Sequence, residues 1–229
     1  MMKYLLILSL VFELYAYIPI PSVTKQILVV SSREFNDTQA SLQAYERSED
    51  GWIKVLEPIT VNLGRNGLAW GEGIIEFKHK PNEPLKREGD GRAPAGLFSL
   101  DLFFGYSDNK FDFPYLKVDQ NTLCIDDSES SHYNKIIQER DHTQFKSFEF
   151  MKREDTLYRL GIVVRHNAKN LKKHGSCIFI HIQKYEKSPT AGCTSLQEEQ
   201  LLKIMNWLNK ESSPLLLQLP DSYLQKGFR

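Results

Sequence analysis

The chain has 229 residues, 41% of them hydrophobic and 25% charged, which is enough apolar material for one substantial core or two small ones. Lysine plus arginine balance aspartate plus glutamate at 29 each, so there is no basic excess to drive nucleic-acid binding. No block of like charges reads as an interaction tail; Lys25, Lys86, Arg87 and Arg92 are scattered as on a solvated surface.

At the N-terminus, Lys3 precedes an apolar run over residues 4–12, followed by Glu13 and the small Ala16. Charged, apolar and cleavage regions in that order predict a signal peptide over residues 1–20, cleaved near Ala16. The run is too short to span a membrane. A buried N-terminal helix or an uncleaved anchor is the alternative. Residues 21–229 are then expected to form a single exported domain.

Short strands follow. Residues 26–32 are rich in β-branched side chains, and residues 38–46 alternate Leu42 and Ala44 with polar neighbours. Asp50-Gly51 predicts a hairpin turn before a strand at 52–56. Strands at 59–63 and 73–77 flank a loop through Gly64, Gly67 and Gly71, so the N-terminal half reads as a β meander. Residues 89–96 hold too many turn formers for regular structure and lead into a strand at 97–100. Beyond 123–125, residues 128–140 predict a short helix with Tyr133, Ile136 and Ile137 facing inward. Strand character returns at 157–164 and 177–181, on either side of a basic loop at 167–175. Ser195 and Glu198 have the spacing of a capping box, and Leu201, Leu202, Met205 and Leu208 then recur on one helix face, with Trp207 beside them. Pro214 stops that helix, and residues 215–219 read as a closing strand. There is no internal repeat, low-complexity linker or composition shift. The economical architecture is one mixed, mainly β domain with a few peripheral helices.

Two residues stand out chemically. His181 ends the apolar run at 175–181, and Cys193 lies in the small-residue turn at 190–196, about ten residues on. Taken singly, they read as a satisfied strand-end histidine and a buried cysteine. Together they offer a thiol and a base that can deprotonate it. A helix starting just after Cys193 is expected to supply oriented N–H groups that lower the thiol pKa and hold an oxyanion. Ala191 and Gly192 let a substrate carbonyl approach the backbone closely.

Export affects how the other cysteines are read. In an oxidising compartment Cys124 and Cys177 can pair and leave Cys193 as the odd thiol. Cys177 reads equally well as a small apolar residue inside a strand, so the pairing stays open. No CxxC or HxxxH pair supplies a metal site, and no cofactor is expected.

The segments at 175–181 and 190–196 resemble the catalytic signature of the L,D-transpeptidase family, the YkuD-like domain, in which a histidine precedes a serine or threonine, a glycine and the nucleophilic cysteine. The blocks at 62–71, 88–98 and 124–127 look like those of an exported subgroup, so the resemblance covers most of residues 26–219. It implies a β-sandwich catalytic domain, a location in the periplasm or cell envelope of a bacterium, and peptidoglycan stem peptides as substrate. Family members attack the bond between the diamino acid and the terminal D-alanine of a stem tetrapeptide and pass the resulting thioester to an amine, or to water as a carboxypeptidase does.

Carried over, Cys193 is the nucleophile, His181 the general base and Ile182 the carbonyl that orients the histidine. The N–H groups of Ala191, Gly192 and Cys193 form the oxyanion hole, and Thr190 shapes the wall. Many relatives have a histidine before the Gly-Cys pair and an arginine or asparagine two positions after the cysteine, where this chain has Ala191 and Ser195. Arg92, Lys86 or Arg165 is the candidate replacement for a carboxylate-binding cation. Those departures keep two other readings in view: a wall-binding protein without turnover, and an unrelated cysteine hydrolase.

Overall fold

The computed structural model describes residues 17–225 and 227–229. The expected leader and its expected cleavage point near Ala16 lie outside them. Residues 17–20, placed outside the expected domain at 21–229, are part of the fold. Ile18 and Ile20 are buried, and their N–H groups donate to the carbonyls of Gly227 and Arg229 at 3.0 and 2.6 Å. Among the described residues, no helix is long and apolar enough to cross a membrane.

The first strands are β1 (Gln26–Ser32), β2 (Gln39–Ser48), β3 (Gly51–Lys54) and β4 (Ile59–Asn62), close to the expected stretches. The β2–β3 turn is made by Glu49 and Asp50; Gly51, at φ +124°, already pairs with Ser48. Next come β5 (Leu68–Trp70), the long β6 (Ala93–Gly105) and β7 (Tyr115–Lys117). Three short strands follow, β8 (Thr122–Cys124), β9 (Ile136–Gln138) and β10 (Glu149–Phe150). The remaining elements are β11 (Leu160–Val164), β12 (Phe179–Ile182), β13 (Thr194–Leu196), α1 (Glu198–Trp207), β14 (Leu215–Pro220) and α2 (Asp221–Leu224).

The protein is mainly β. Strands β1, β14, β6, β11, β12, β13, β4 and β2 pair in that order, and β2 pairs back onto β1, closing an 8-stranded barrel. Closure leaves no unpaired edge around the ring. Within it, β1 with β14 and β12 with β13 run parallel; the other pairs are antiparallel. A smaller sheet of order β10-β8-β9 stands beside the barrel, and a disulfide from Cys124 at the end of β8 to Cys177 just before β12 ties the two together.

Alternation along the strands divides the buried side chains between two packing regions. On β12, Ile180 and Ile182 join the main core with Leu28, Leu42, Val61 and Phe103. Phe179 instead joins a second cluster with Phe104, Met151, Tyr158, Cys177 and Cys193, between the barrel wall and the small sheet. Gly161 makes room there: it pairs with both Phe104 and His181, and a Cβ on it would run into the Phe104 ring.

Several local expectations fail for identifiable reasons. Residues 73–77 find no sheet partner and are irregular, with Ile74 47% exposed. Residues 128–134 form turns instead of a helix. Asp127 and Ser130 side chains accept backbone N–H groups, Asn134 takes φ 59°, and β9 then pairs with β8. Ser195 does not cap α1. It lies within β13, and α1 begins behind Gln197, which makes no side-chain cap. That helix buries Leu201, Ile204 and Met205 and leaves Leu202 38% exposed.

Candidate active site

The pairing of β12 with β13 brings the two chemically conspicuous residues together. Ile180 pairs with Thr194 and His181 with Ser195, so Cys193, one step before β13, falls opposite Phe179. Because strand side chains alternate, Cys193 and Ser195 share the face of Phe179 and His181. Cys193 and His181 are therefore diagonal neighbours on one face, a span that an imidazole can bridge. Both line a cavity of about 310 Å³, together with Ser195.

The thiol is held by backbone. Phe179 N–H donates to Cys193 Sγ at 3.3 Å, and the Cys177 carbonyl accepts from the same sulfur at 3.6 Å. Cys177 sits at φ 54°, and its own N–H donates to Asn134 Oδ1 at 3.0 Å. Cys193 is only 7% exposed. Burial, and next the Glu149 carboxylate, push its thiol up to about 12, against the opposing pull of the Phe179 N–H, Lys86 and the Tyr158 hydroxyl. The expectation of a thiol acidified by a helix N-terminus is thus overturned. Strand β13 separates Cys193 from α1, and desolvation dominates.

His181 Nδ1 lies 2.8 Å from the carbonyl oxygen of Ile182. A carbonyl only accepts, so Nδ1 carries the proton and Nε2 is left as the basic nitrogen. Burial brings the imidazole down to about 4, although its bond to Ile182 favours the protonated form. The edge of the Tyr158 ring meets the His181 ring, with centroids 5.2 Å apart.

The turn before Cys193 is built by Thr190, whose hydroxyl donates to the Cys193 carbonyl at 2.6 Å and accepts the Gly192 N–H at 3.1 Å. That second bond corrects the expected three-donor oxyanion hole, because the Gly192 N–H is already engaged. Among the described residues, no acceptor is bonded to the N–H of Ala191 or of Cys193. Gly192 takes φ +153° with the Arg92 carbonyl behind it, where a side chain is not readily accommodated.

Arg92 itself is not in the cavity. Its guanidinium donates to the Leu68 carbonyl at 2.8 Å and to Asn36 Oδ1 at 3.0 Å, bracing the loops behind the site. Arg165 lies 3.7 Å from Asp101, also outside the cavity lining. Lys86 does line it, 7% exposed and bonded to Asp90 at 2.6 Å, and Arg153 and Lys184 line it as well. Arg153, Glu149 and Tyr158 also line the cavity, and none of them is among the residues expected there from sequence. Glu149 and Tyr158 reach the site through tertiary contacts alone, with no local pattern in the sequence to mark them.

No family model, curated protein or solved structure matches this chain. The chemistry of the cavity therefore rests on its own geometry: a buried neutral thiol, a buried neutral imidazole in a fixed tautomer, and two backbone donors beside the sulfur. That set is suited to acyl transfer through a thioester.

Proposed function

We propose that this chain is an exported cysteine acyltransferase of the L,D-transpeptidase type, with a YkuD-like catalytic domain, acting on peptidoglycan stem peptides in the bacterial cell envelope. The observation that carries the reading is the placement of Cys193 and His181 on one face of β12 and β13 within one cavity, with His181 Nδ1 engaged by Ile182.

In this reading Nε2 of His181 takes the thiol proton as Sγ attacks the carbonyl between the diamino acid and the terminal D-alanine. Because burial keeps both groups neutral at rest, the thiolate develops during attack and is not stored beforehand. The oxygen of the tetrahedral adduct meets the N–H groups of Ala191 and Cys193. Collapse breaks the C–N bond, the proton on Nε2 passes to the departing amine, and D-alanine leaves with the acyl group held on Cys193. An amine from a neighbouring stem or an envelope protein then attacks the thioester, giving Nε2 its proton and regenerating the thiol. Water in the same position makes the enzyme an L,D-carboxypeptidase.

Mass spectrometry of purified muropeptides incubated with wild type and Cys193→Ala tests this. Crosslinked or shortened stems are expected with wild type alone. Equal product from both proteins would remove Cys193 as the nucleophile, and no product from wild type would remove the peptidoglycan reading.

A further inference from the structure

Beside the thiol and the imidazole the cavity holds a carboxylate and a phenol that neither step above uses. Tyr158 is 5% exposed, and its hydroxyl donates to Glu149 Oε2 at 2.6 Å. The two come from different places: Glu149 is on β10 of the small sheet, in register with Cys124, and Tyr158 stands just before β11 of the barrel. The disulfide from Cys124 to Cys177 holds those two walls together. Tyr158 packs in the same cluster as Cys193, Cys177 and Phe179, and Tyr158, Glu149 and Cys193 line one cavity.

We propose that Tyr158 and Glu149 form a control dyad for the nucleophile, in which the Tyr158 hydroxyl rests on Glu149 while Cys193 is a thiol and turns to donate to Sγ as the thiolate forms. This deepens the acyl-transfer reading and rests on Cys193 being its nucleophile. No bond other than the S–H is broken. The thiol proton goes to His181 Nε2, the Tyr158 proton stays on its oxygen, and only its hydrogen-bond acceptor changes. Arg153 stands beside the dyad, its guanidinium over the Tyr158 ring at 5.0 Å and bonded to the Asp155 carboxylate.

Electrostatics around the sulfur supports opposite roles for the two groups. Burial and the neighbouring carboxylate of Asp126 raise the Glu149 pKa, while its bond from Tyr158 lowers it. Ionised Glu149 opposes a thiolate, and the Tyr158 hydroxyl favours one. The other charged or titratable groups facing the site are His181 from β12, Lys86 and Glu88 from the loop before β6, Asp126 between β8 and β9, Arg153 and Asp155 between β10 and β11, and Lys184 between β12 and β13. Substitution of the dyad leaves all of these in place. Its two members should therefore shift the thiol in opposite directions, which a shared packing role would not do.

The test is the pH dependence of Cys193 alkylation by iodoacetamide in the full chain, followed by intact mass. Cys193 is the free cysteine of the three, so the mass shift reports it alone. Glu149→Gln keeps the acceptor for Tyr158 and removes the charge; it is expected to move the alkylation midpoint down by about one pH unit and to speed alkylation below the midpoint about tenfold. Tyr158→Phe keeps the ring against His181 and removes the donor; it is expected to move the midpoint up and slow alkylation by a comparable factor. Thermal melts of both proteins establish that they are folded, and if one is not, the direction shown by the other decides. A shift of both variants in the same direction, or no shift in a folded variant, overturns the proposal. The readout involves no peptidoglycan, so it is independent of whether stem peptides are the substrate.

Discussion

The backbone carbonyl of Ile182 fixes the tautomer of His181, the residue directly before it, across 2.8 Å. Both residues belong to β12, yet their side chains part company. Ile182 points into the main core and His181 into the cavity. The strand that anchors the barrel thereby also presents a histidine whose Nε2 is free for proton transfer.

Replacing that nitrogen while keeping the fold isolates its contribution. His181→Gln is expected to lower the rate of Cys193 acylation by about 10²–10⁴-fold, the usual worth of a general base. Its melting temperature near neutral pH is expected to stay close to that of wild type, since the buried imidazole is already neutral there and is replaced by another neutral side chain. Stopped-flow acylation with a thioester-forming substrate reads the first quantity and calorimetry the second.

The disulfide between Cys124 and Cys177 spans 53 residues and joins the small sheet to the wall that hydrogen-bonds the thiol. Removing it in a Cys124→Ala/Cys177→Ala double variant is expected to cost about 2–5 kcal/mol, because the unfolded chain regains the freedom of a long loop. Chemical denaturation under non-reducing conditions measures this. Reducing agent should shift the wild-type midpoint toward that of the double variant and leave the variant unchanged.

Gly161 is the one position of β11 where a side chain collides with the second cluster. Gly161→Ala is expected to push the Phe104 ring off its place and destabilise the protein by about 1–3 kcal/mol, an overpacking cost. Because Gly161 also pairs with His181, acylation should fall as well. Urea melts and acylation rates on the same preparation check both.

Buried histidines give stability a defined acid limit. His181 and His166 are both brought down to about 4, chiefly by burial, from an ordinary value of 6.5. Between those values the unfolded chain binds protons that the folded chain does not, so stability rises with pH across the window. Their contribution is complete above about pH 6.5 and is lost as the pH falls through about 4, an upper bound of about 3 kcal/mol for each. Urea midpoints are expected to fall between about pH 7 and pH 5, and His166→Gln, outside the lining of the Cys193 cavity, should flatten part of that fall.

The elements legible in the sequence are those whose pattern is local. Strands β1, β2, β4 and β14 follow from β-branching and alternation, and the His181 and Cys193 pair from two segments separated by one loop. Where competing local signals existed, tertiary pairing decided. Ser195 and Glu198 have capping-box spacing, but Ser195 is taken into β13 by His181 on one side and Asn62 on the other. Ile136 and Ile137 suit a helix face, but β8 offers them a ladder. Arg92 is a candidate substrate cation only as a stand-in for the arginine that the family resemblance leads one to expect; in space its guanidinium serves Leu68 and Asn36. Tyr158 and Glu149 were out of reach because only the docking of the small sheet against the barrel brings them beside the thiol.

The most direct measurement is the intact mass of the protein within the first turnovers on a stem tetrapeptide. A transient adduct equal to the tetrapeptide less D-alanine is expected, mapped to Cys193 and absent from Cys193→Ala. A wild-type protein that turns the peptide over while its mass never changes, or that carries the adduct at another residue, contradicts it.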